Sequence, residues 1–219
     1  FFEPGGALAF RGDIDIRLHG NTTRSRPRKA LRIYAKTPST FEYPIFPDKP
    51  LAKFDTFILR NGGNDWGNGV IRDLFLQSLA ADTGLDRQHG RLVLVFLNGE
   101  YWGLHDLRER FDDGYIEHHY GLEEAEFVQV EMDNTVSASP YVPIYDRGNP
   151  ELGGDYSNLW HYIGTHDLSD PANYAAVQDR LSVESFIDFF QAHIFFGNTD
   201  WPGNNVRAWR SVATNRIEG

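Results

Sequence analysis

The chain has 219 residues, of which 41% are hydrophobic and 14% are aromatic, a composition typical of one globular domain or two small lobes. Its formal net charge of −10 argues against non-specific binding to nucleic acids, which requires a basic surface. The chain has no cysteine, which excludes disulfide scaffolds and thiolate metal sites, and no apolar run approaches the ~20 residues of a membrane-spanning helix.

Strands dominate the predictions for the first half of the chain. Alternating or continuous apolar residues predict strands at 14–18, 30–35, 54–59, 91–97 and 101–107, and apolar residues at helical spacing predict helices at 70–81 and about 112–120. The last two strands flank Asn98-Gly99, the dipeptide most typical of a tight β-hairpin.

Helices dominate the predictions for the end of the chain. Two more strands are predicted at 127–132 and 141–145, followed by helices at 158–164, 171–180 and 183–196. Asp170 and Ser182 are expected to cap the last two helices. The order of elements predicts an α+β fold, with a sheet-rich lobe at about 1–125 and a helical lobe at about 155–219.

A dense group of cations follows the first predicted strand. Five cations fall within nine residues of an otherwise acidic chain, at Arg24, Arg26, Arg28, Lys29 and Arg32. Guanidinium groups clustered on a turn of small residues suit a polyphosphate ligand, which they bind through paired hydrogen bonds. The alternative is a solvated hairpin whose cations only neutralise the acidic surface.

Lys29 and Glu109 are candidates for a functional ion pair. Protein kinases hold a lysine on the nucleotide phosphates through an ion pair with a glutamate. The alternative for Glu109 is a surface ladder of salt bridges with its charged neighbours between 108 and 112.

A Gly/Asn-rich loop at 61–69 precedes the predicted helix that begins near Arg72 and Asp73. An aspartate in the first turn of a helix is favoured by the helix dipole, so capping is one interpretation of Asp73. The other is that this polar loop faces a nucleotide.

Asp200 and Asn205 have the spacing of the kinase catalytic loop, H-R-D-x-x-x-x-N. Asp200 follows the most apolar predicted helix, so we expect it at the edge of the core. Asn204 and Asn205 are neutral oxygen donors that suit Mg²⁺ beside anionic phosphates. The alternative is an ordinary Asp/Gly/Asn turn.

The histidines of the chain form no recognisable zinc pattern.

Taken together, these motifs resemble the CotH kinase family, which is named after a bacterial spore coat protein. The matching blocks, in the family's order, are residues 18–24 with 27–33, 58–65, 71–73, 96–104, 109–110 and 198–205. They extend over nearly the whole chain, and Asn-Gly-Glu-Tyr-Trp-Gly at 98–103 is the most distinctive of them.

The resemblance implies a single atypical protein-kinase-like domain over residues 1–219 that uses ATP and Mg²⁺ or Mn²⁺ to phosphorylate serine or threonine of other proteins. It also implies a bacterial, extracytoplasmic location, either secreted or at the cell surface. The roles that it implies are catalysis for Asp200, metal binding for Asn205, phosphate binding for Lys29 with Glu109 as its partner, and a place around the nucleotide for Arg24, Asn61 and Arg72.

One departure from the family pattern concerns the end of the chain. The family has a second metal-binding aspartate after the strand that follows the asparagine pair, and this chain ends before that point. We therefore expect the domain to be truncated at its C-terminus, and the 219-residue chain to be inactive or nearly so.

Two other functions remain open. A non-catalytic surface or adhesion module could retain the same fold, since a fold does not imply a function. An Asp-rich strand end beyond Gly219 would favour the enzyme over such a module. A metal-assisted phosphoesterase using Asp200, Asn205 and a histidine would instead release free phosphate without transferring it to protein.

Overall fold

The structure is a computed structural model that describes residues 1–133, 144–199 and 204–218. The chain divides into two compact units: unit 1 comprises Phe1–Ala80 and Arg87–Tyr120, and unit 2 comprises Ala81–Asp86 and Gly121–Gly219. Both units combine helices with antiparallel sheets, so the predicted α+β class is confirmed. No helix in the described parts of the chain has both the length and the apolarity to cross a lipid bilayer.

Unit 1 is built on an antiparallel sheet. Its strands are β1 (Asp13–His19), β2 (Ala30–Thr37), β3 (Phe41–Glu42), β4 (Lys53–Phe54), β5 (Thr56–Arg60), β6 (Gly90–Leu97) and β7 (Glu100–Arg108). Five of them form a sheet in the order β1-β2-β5-β7-β6, and β3 pairs with β4. The turn between β6 and β7 has left-handed φ angles of 53° at Asn98 and 83° at Gly99, which confirms the predicted hairpin.

The core of unit 1 is aromatic. Phe41, Phe46, Phe54 and Phe57 pack ring against ring, with centroid distances from 4.9 to 5.9 Å. Buried leucines of β2, β5 and β7 complete the cluster. Each buried phenylalanine contributes about 1.5–3 kcal/mol to folding, so these rings fasten the short β3–β4 pair onto the larger sheet. The single strand predicted at 54–59 is divided in the structure, because Asp55 separates β4 from β5.

Helix α1 (Arg72–Leu79) is tied to the sheet by charged groups, and helix α2 (Asp113–Tyr120) follows β7. Arg108 is 1% exposed and pairs with Asp106 and with Asp73, whose Oδ2 lies 2.7 Å from Arg108 Nη1. Arg60 pairs with Asp73 as well. Burial alone raises the pKa of Asp73, but the charges of Arg60 and Arg108 outweigh it and lower that pKa below its usual value. Asp73 therefore anchors the helix as well as standing in its first turn.

Unit 2 contains a second antiparallel sheet. Its strands β8 (Phe127–Asp133), β9 (Ile144–Gly148), β10 (Asn204–Ser211) and β11 (Ile217–Glu218) are ordered β11-β10-β8-β9. Its helices are α3 (Gly154–Thr165), α4 (Pro171–Gln178) and α5 (Val183–Phe195). A core of buried side chains joins the sheet to α3 and α4, and consists of Val128, Val130, Tyr156, Leu159, Val177 and Ile217.

The predicted helix starts in unit 2 are confirmed by their caps. Asp170 Oδ1 accepts a hydrogen bond from Ala172 N at 2.8 Å, and Ser182 Oγ accepts one from Ser185 N at 3.4 Å. Helix α3 begins at Gly154, four residues before its predicted start at 158 and directly after Gly153. The N-terminal boundary was missed because glycine has a low intrinsic helix propensity.

Helix α5 differs from expectation in its burial. It is the most apolar of the predicted helices, yet none of its residues is buried, and Ile194 and Phe195 are 68% and 82% exposed. The expectation that Asp200, which follows this helix, sits at the edge of the core stays a prediction, because Asp200 lies outside the described residues.

The end of β9 provides a test of the packing in unit 2. Gly148 has a φ of +78°, and a Cβ at this position would lie 2.2 Å from the carbonyl oxygen of Phe127. Gly121 has a similar φ of +68°, but a Cβ there would meet nothing within 4 Å. We expect Gly121→Ala to cost about 1–2 kcal/mol of unfolding free energy, from the left-handed backbone alone. Gly148→Ala should cost a further 1–3 kcal/mol or so, because overpacking adds to the backbone term.

Urea denaturation of the two variants measures this difference directly. Gly121→Ala controls for the backbone conformation, so equal losses in the two variants would show that β9 can move away from Phe127 without cost.

Candidate functional site

Two loops of unit 1 lie against each other: the basic turn (residues 21–29) and the glycine loop (residues 61–70). Asn61 Nδ2 donates a hydrogen bond to the carbonyl oxygen of Arg28 at 2.7 Å, and Arg28 Nη2 donates one to the carbonyl oxygen of Asn61 at 3.3 Å. The guanidinium of Arg26 lies 5.9 Å from the centre of the Trp66 ring. The two loops therefore form one cation-rich surface from segments about 30 residues apart in sequence.

A buried histidine holds the next residue of the basic turn. His105 is 0% exposed, and its Nε2 lies 3.0 Å from the carbonyl oxygen of Lys29. Burial lowers the pKa of His105, and its other ring nitrogen, Nδ1, lies 3.3 Å from the carbonyl oxygen of Gly103. Asn61 and His105 thus hold two successive carbonyl groups of the turn, those of Arg28 and Lys29.

Among the described residues, no carboxylate pairs with the cations of this region. The cations in question are Arg24, Arg26, Arg28, Lys29 and Arg32. Within the described residues, the polar and ring contacts of their side chains are with backbone carbonyls, an indole ring, a tyrosine hydroxyl and an imidazole. A hairpin that only neutralised an acidic surface would place carboxylates beside these cations. The arrangement instead fits an anionic ligand such as the polyphosphate of a nucleotide.

The structure brings most of the predicted nucleotide residues to these two loops. Arg24 and Lys29 are joined within the basic turn, where Lys29 Nζ donates to the carbonyl oxygen of Arg24 at 2.8 Å. Asn61 is buried at the base of the glycine loop. Arg72 lies where the glycine loop enters α1, and its Nη2 is 3.0 Å from Asp65 Oδ1. Asp65 also accepts a hydrogen bond from the backbone N–H of Arg72, at 3.3 Å.

Lys29 and Glu109, both within the described residues, do not form the predicted ion pair. His105, which contacts the backbone of Lys29, precedes Glu109 by four residues, and a strand rises about 3.3 Å per residue. Glu109, which directly follows β7, consequently lies about 13 Å farther in the direction of this strand, beyond the reach of Lys29. The lysine that approaches Glu109 is Lys49, with its Nζ 3.7 Å from Oε1.

Glu109 belongs to a buried cluster with two histidines. Its Oε2 lies 2.9 Å from His89 Nδ1 and its Oε1 lies 2.8 Å from His119 Nε2, so both carboxylate oxygens are occupied. Burial raises the pKa of Glu109, but the hydrogen bonds from His119 and His89 and the charge of Lys49 outweigh it, and the pKa falls to about 2. Nothing in the sequence marked these three partners, which come from separate loops and elements.

Asn205, the predicted metal ligand, lies at a β-bulge. The pairing of β10 with β8 skips a residue between Asn204 and Val206, and Asn205 has a left-handed φ of +57° and an exposed side chain. Bulges re-aim side chains and are frequent next to active sites.

Asp200, the predicted catalytic residue, lies outside the described residues. Among residues 1–133, 144–199 and 204–218, no three or more histidine, aspartate or glutamate side chains are grouped to hold a metal ion.

The α+β architecture, with a basic turn held on a glycine loop, is that of a protein-kinase-like domain. A family model described as CotH kinase protein matches residues 16–218, and the chain therefore belongs to the CotH kinase family. The resemblance found in the sequence motifs is confirmed, and membership of this family supports a kinase-like function. Among curated proteins, none matches the chain in sequence.

The buried cluster around Glu109 predicts a pH-dependent stability. The pKa of Glu109 in the folded state, about 2, lies below the ordinary value of 4.5, so the ionised carboxylate of Glu109 stabilises the fold above about pH 4.5. This contribution, at most about 3 kcal/mol, is lost as the pH falls toward 2. We expect Glu109→Gln to lower the unfolding free energy at pH 7, and the deficit to shrink between pH 5 and about pH 2.

Urea denaturation at a series of pH values measures this effect. Glu100→Gln, which changes an exposed glutamate at the start of β7, is the matched control and should change little at any pH. A deficit of Glu109→Gln that is the same at every pH would show that the cluster does not stabilise the ionised carboxylate.

Proposed function

We propose that the chain is the domain of an ATP- and divalent-metal-dependent protein kinase that phosphorylates serine or threonine of extracytoplasmic proteins. Membership of the CotH kinase family supports the reaction class. The observation that carries the proposal is the basic turn, whose cations have no carboxylate contacts within the described residues although the chain has a net charge of −10. We also propose that units 1 and 2 act together as one kinase domain spanning residues 1–219.

The residues of unit 1 supply phosphate recognition in this proposal. Arg24 and Lys29 surround the phosphates from the basic turn, and Arg72 does so from the end of the glycine loop. Asn61 positions the turn through its hydrogen bonds with Arg28. Cations fixed in this way neutralise charge on the phosphates without having to reorganise during the reaction. Glu109 is left out of this set, because both of its oxygens are occupied by histidines.

Asp200 and Asn205 supply the chemistry at the acceptor. A divalent metal, Mg²⁺ or Mn²⁺, contributes charge neutralisation at the β- and γ-phosphates. Asn205 provides a neutral oxygen ligand suited to that ion, and its position at a bulge supports this role. Asp200 orients the hydroxyl of the acceptor and takes its proton as the oxygen bonds to the γ-phosphorus and the bond to ADP breaks.

The proposed location is outside the cytoplasm, secreted or at the surface of a bacterial cell. The only support for this location is what the resemblance of the sequence motifs to the family implies. The acceptor would then be a protein of that compartment with accessible serine or threonine side chains.

Transfer of γ-labelled phosphate from Mg-ATP or Mn-ATP to protein tests the reaction. Because we expect the 219 residues alone to be nearly inactive, the test uses a protein that extends past Gly219, and we expect it to label itself or a generic acceptor such as casein. Asp200→Asn should reduce the rate by about 10²–10⁴-fold, because it removes the general base while leaving the phosphate-binding residues in place. The affinity for ATP should change little. Asp179→Asn, an exposed aspartate of unit 2, is the control.

Each failure has a distinct meaning. Transfer that is unchanged in Asp200→Asn would remove Asp200 from the proposed role. ATP binding without any transfer would favour the non-catalytic module, and release of free phosphate without labelled protein would favour a phosphoesterase.

A further inference from the structure

Arg28 is seated differently from the other cations of the basic turn. Its side chain passes directly over Gly103 of β7, where a Cβ would lie 2.6 Å from Arg28 Cδ and 3.2 Å from Nη1. Gly103 has a φ of +133°, a conformation that residues with a side chain rarely adopt. The last residue of the Asn-Gly-Glu-Tyr-Trp-Gly motif therefore makes room for this arginine.

The guanidinium of Arg28 is half-buried and incompletely paired. Its only hydrogen bond among the described residues joins Nη2 to the carbonyl oxygen of Asn61, and its Nε is buried without a partner. The buried Arg108 of the same unit pairs with two carboxylates. Removing a cation from water without an anionic partner is costly, so the position of Arg28 indicates that an anion completes its environment.

The side chain of Lys29 points in a different direction from that of Arg28. Its Nζ turns back onto the basic turn and donates to the carbonyl oxygen of Arg24 at 2.8 Å. An arginine also suits phosphate better than a lysine does, since its planar group offers two parallel N–H bonds to two oxygens.

We propose that Arg28, rather than Lys29, is the principal cation that binds the phosphate chain of the nucleotide, with Gly103 and Asn61 as its positioning residues. This inference rests on the proposed function for the identity of the nucleotide, but it concerns binding and not transfer. Gly103 acts by the absence of a side chain, and Asn61 acts by holding both the backbone and the guanidinium of Arg28.

Calorimetric titration of the full-length protein with ATP in EDTA tests the proposal without any metal. Arg28→Gln should weaken binding by about 10- to 100-fold, the range expected for lost hydrogen bonds to a charged group. Lys29→Gln should weaken it by a smaller factor, and Arg11→Gln, an exposed arginine outside the turn, should have no effect. Arg28→Lys should recover part of the affinity.

Further measurements show whether a loss of affinity comes from phosphate binding rather than from misfolding or from contacts with the adenosine. Gly103→Ala keeps every charge but displaces Arg28, so it should weaken binding as well. Inorganic tripolyphosphate in place of ATP should show the same ratio between wild type and Arg28→Gln, because the ratio reports the phosphate chain alone. A thermal melting temperature within a few degrees of wild type for Arg28→Gln would show that the loss is not one of folding.

The outcomes distinguish this proposal from the proposed function. A larger loss in Lys29→Gln than in Arg28→Gln would overturn it and return the role to Lys29. Binding that depends on Arg28 in a protein that transfers no phosphate would support it while the kinase proposal failed. Absence of binding to ATP and tripolyphosphate in the wild type would overturn this proposal, while the kinase proposal, which requires a divalent metal, is decided by the transfer experiment with Mg-ATP or Mn-ATP.

Discussion

Two buried polar side chains hold the structure of unit 1 around its basic turn. Asn61 and His105 are almost completely buried, and they hold the successive carbonyl oxygens of Arg28 and Lys29. A buried polar group left without a partner costs about 1–3 kcal/mol, so neither residue can lose its contact without penalty. The position of the cations, the path of the glycine loop and the place of Arg28 over Gly103 all depend on these two contacts.

The elements that sequence reasoning identified correctly are those with local determinants. The hairpin at Asn98-Gly99 requires left-handed turn residues, and the starts of α4 and α5 require capping oxygens from Asp170 and Ser182. The pairing of β10 with β8 has no such signature, because more than 70 residues separate the paired positions. Nor could apolarity alone show that none of the residues of α5 is fully buried, since burial depends on what packs against a helix.

In the candidate site, too, the sequence indicated features with a local signature but not contacts between distant residues. The basic turn and the glycine loop stand out by composition, and the structure brings them together through the hydrogen bonds between Arg28 and Asn61. The predicted Lys29–Glu109 pair rests on analogy, and the three residues of β7 between His105 and Glu109 put the two charged groups too far apart to pair. Composition could not show which of two adjacent cations, Arg28 or Lys29, faces away from its own turn.

The exposure of α5 has a consequence for the dynamics of unit 2. Helices with few buried contacts open locally at a low free energy, whereas strands in a packed core exchange their amide hydrogens only when a larger unit unfolds. None of the residues of α5 is buried, while β8 contributes Val128 and Val130 to the core. The amides of α5 are therefore expected to exchange with solvent by an opening event of their own, and slow exchange in β8 would say little about the persistence of this helix.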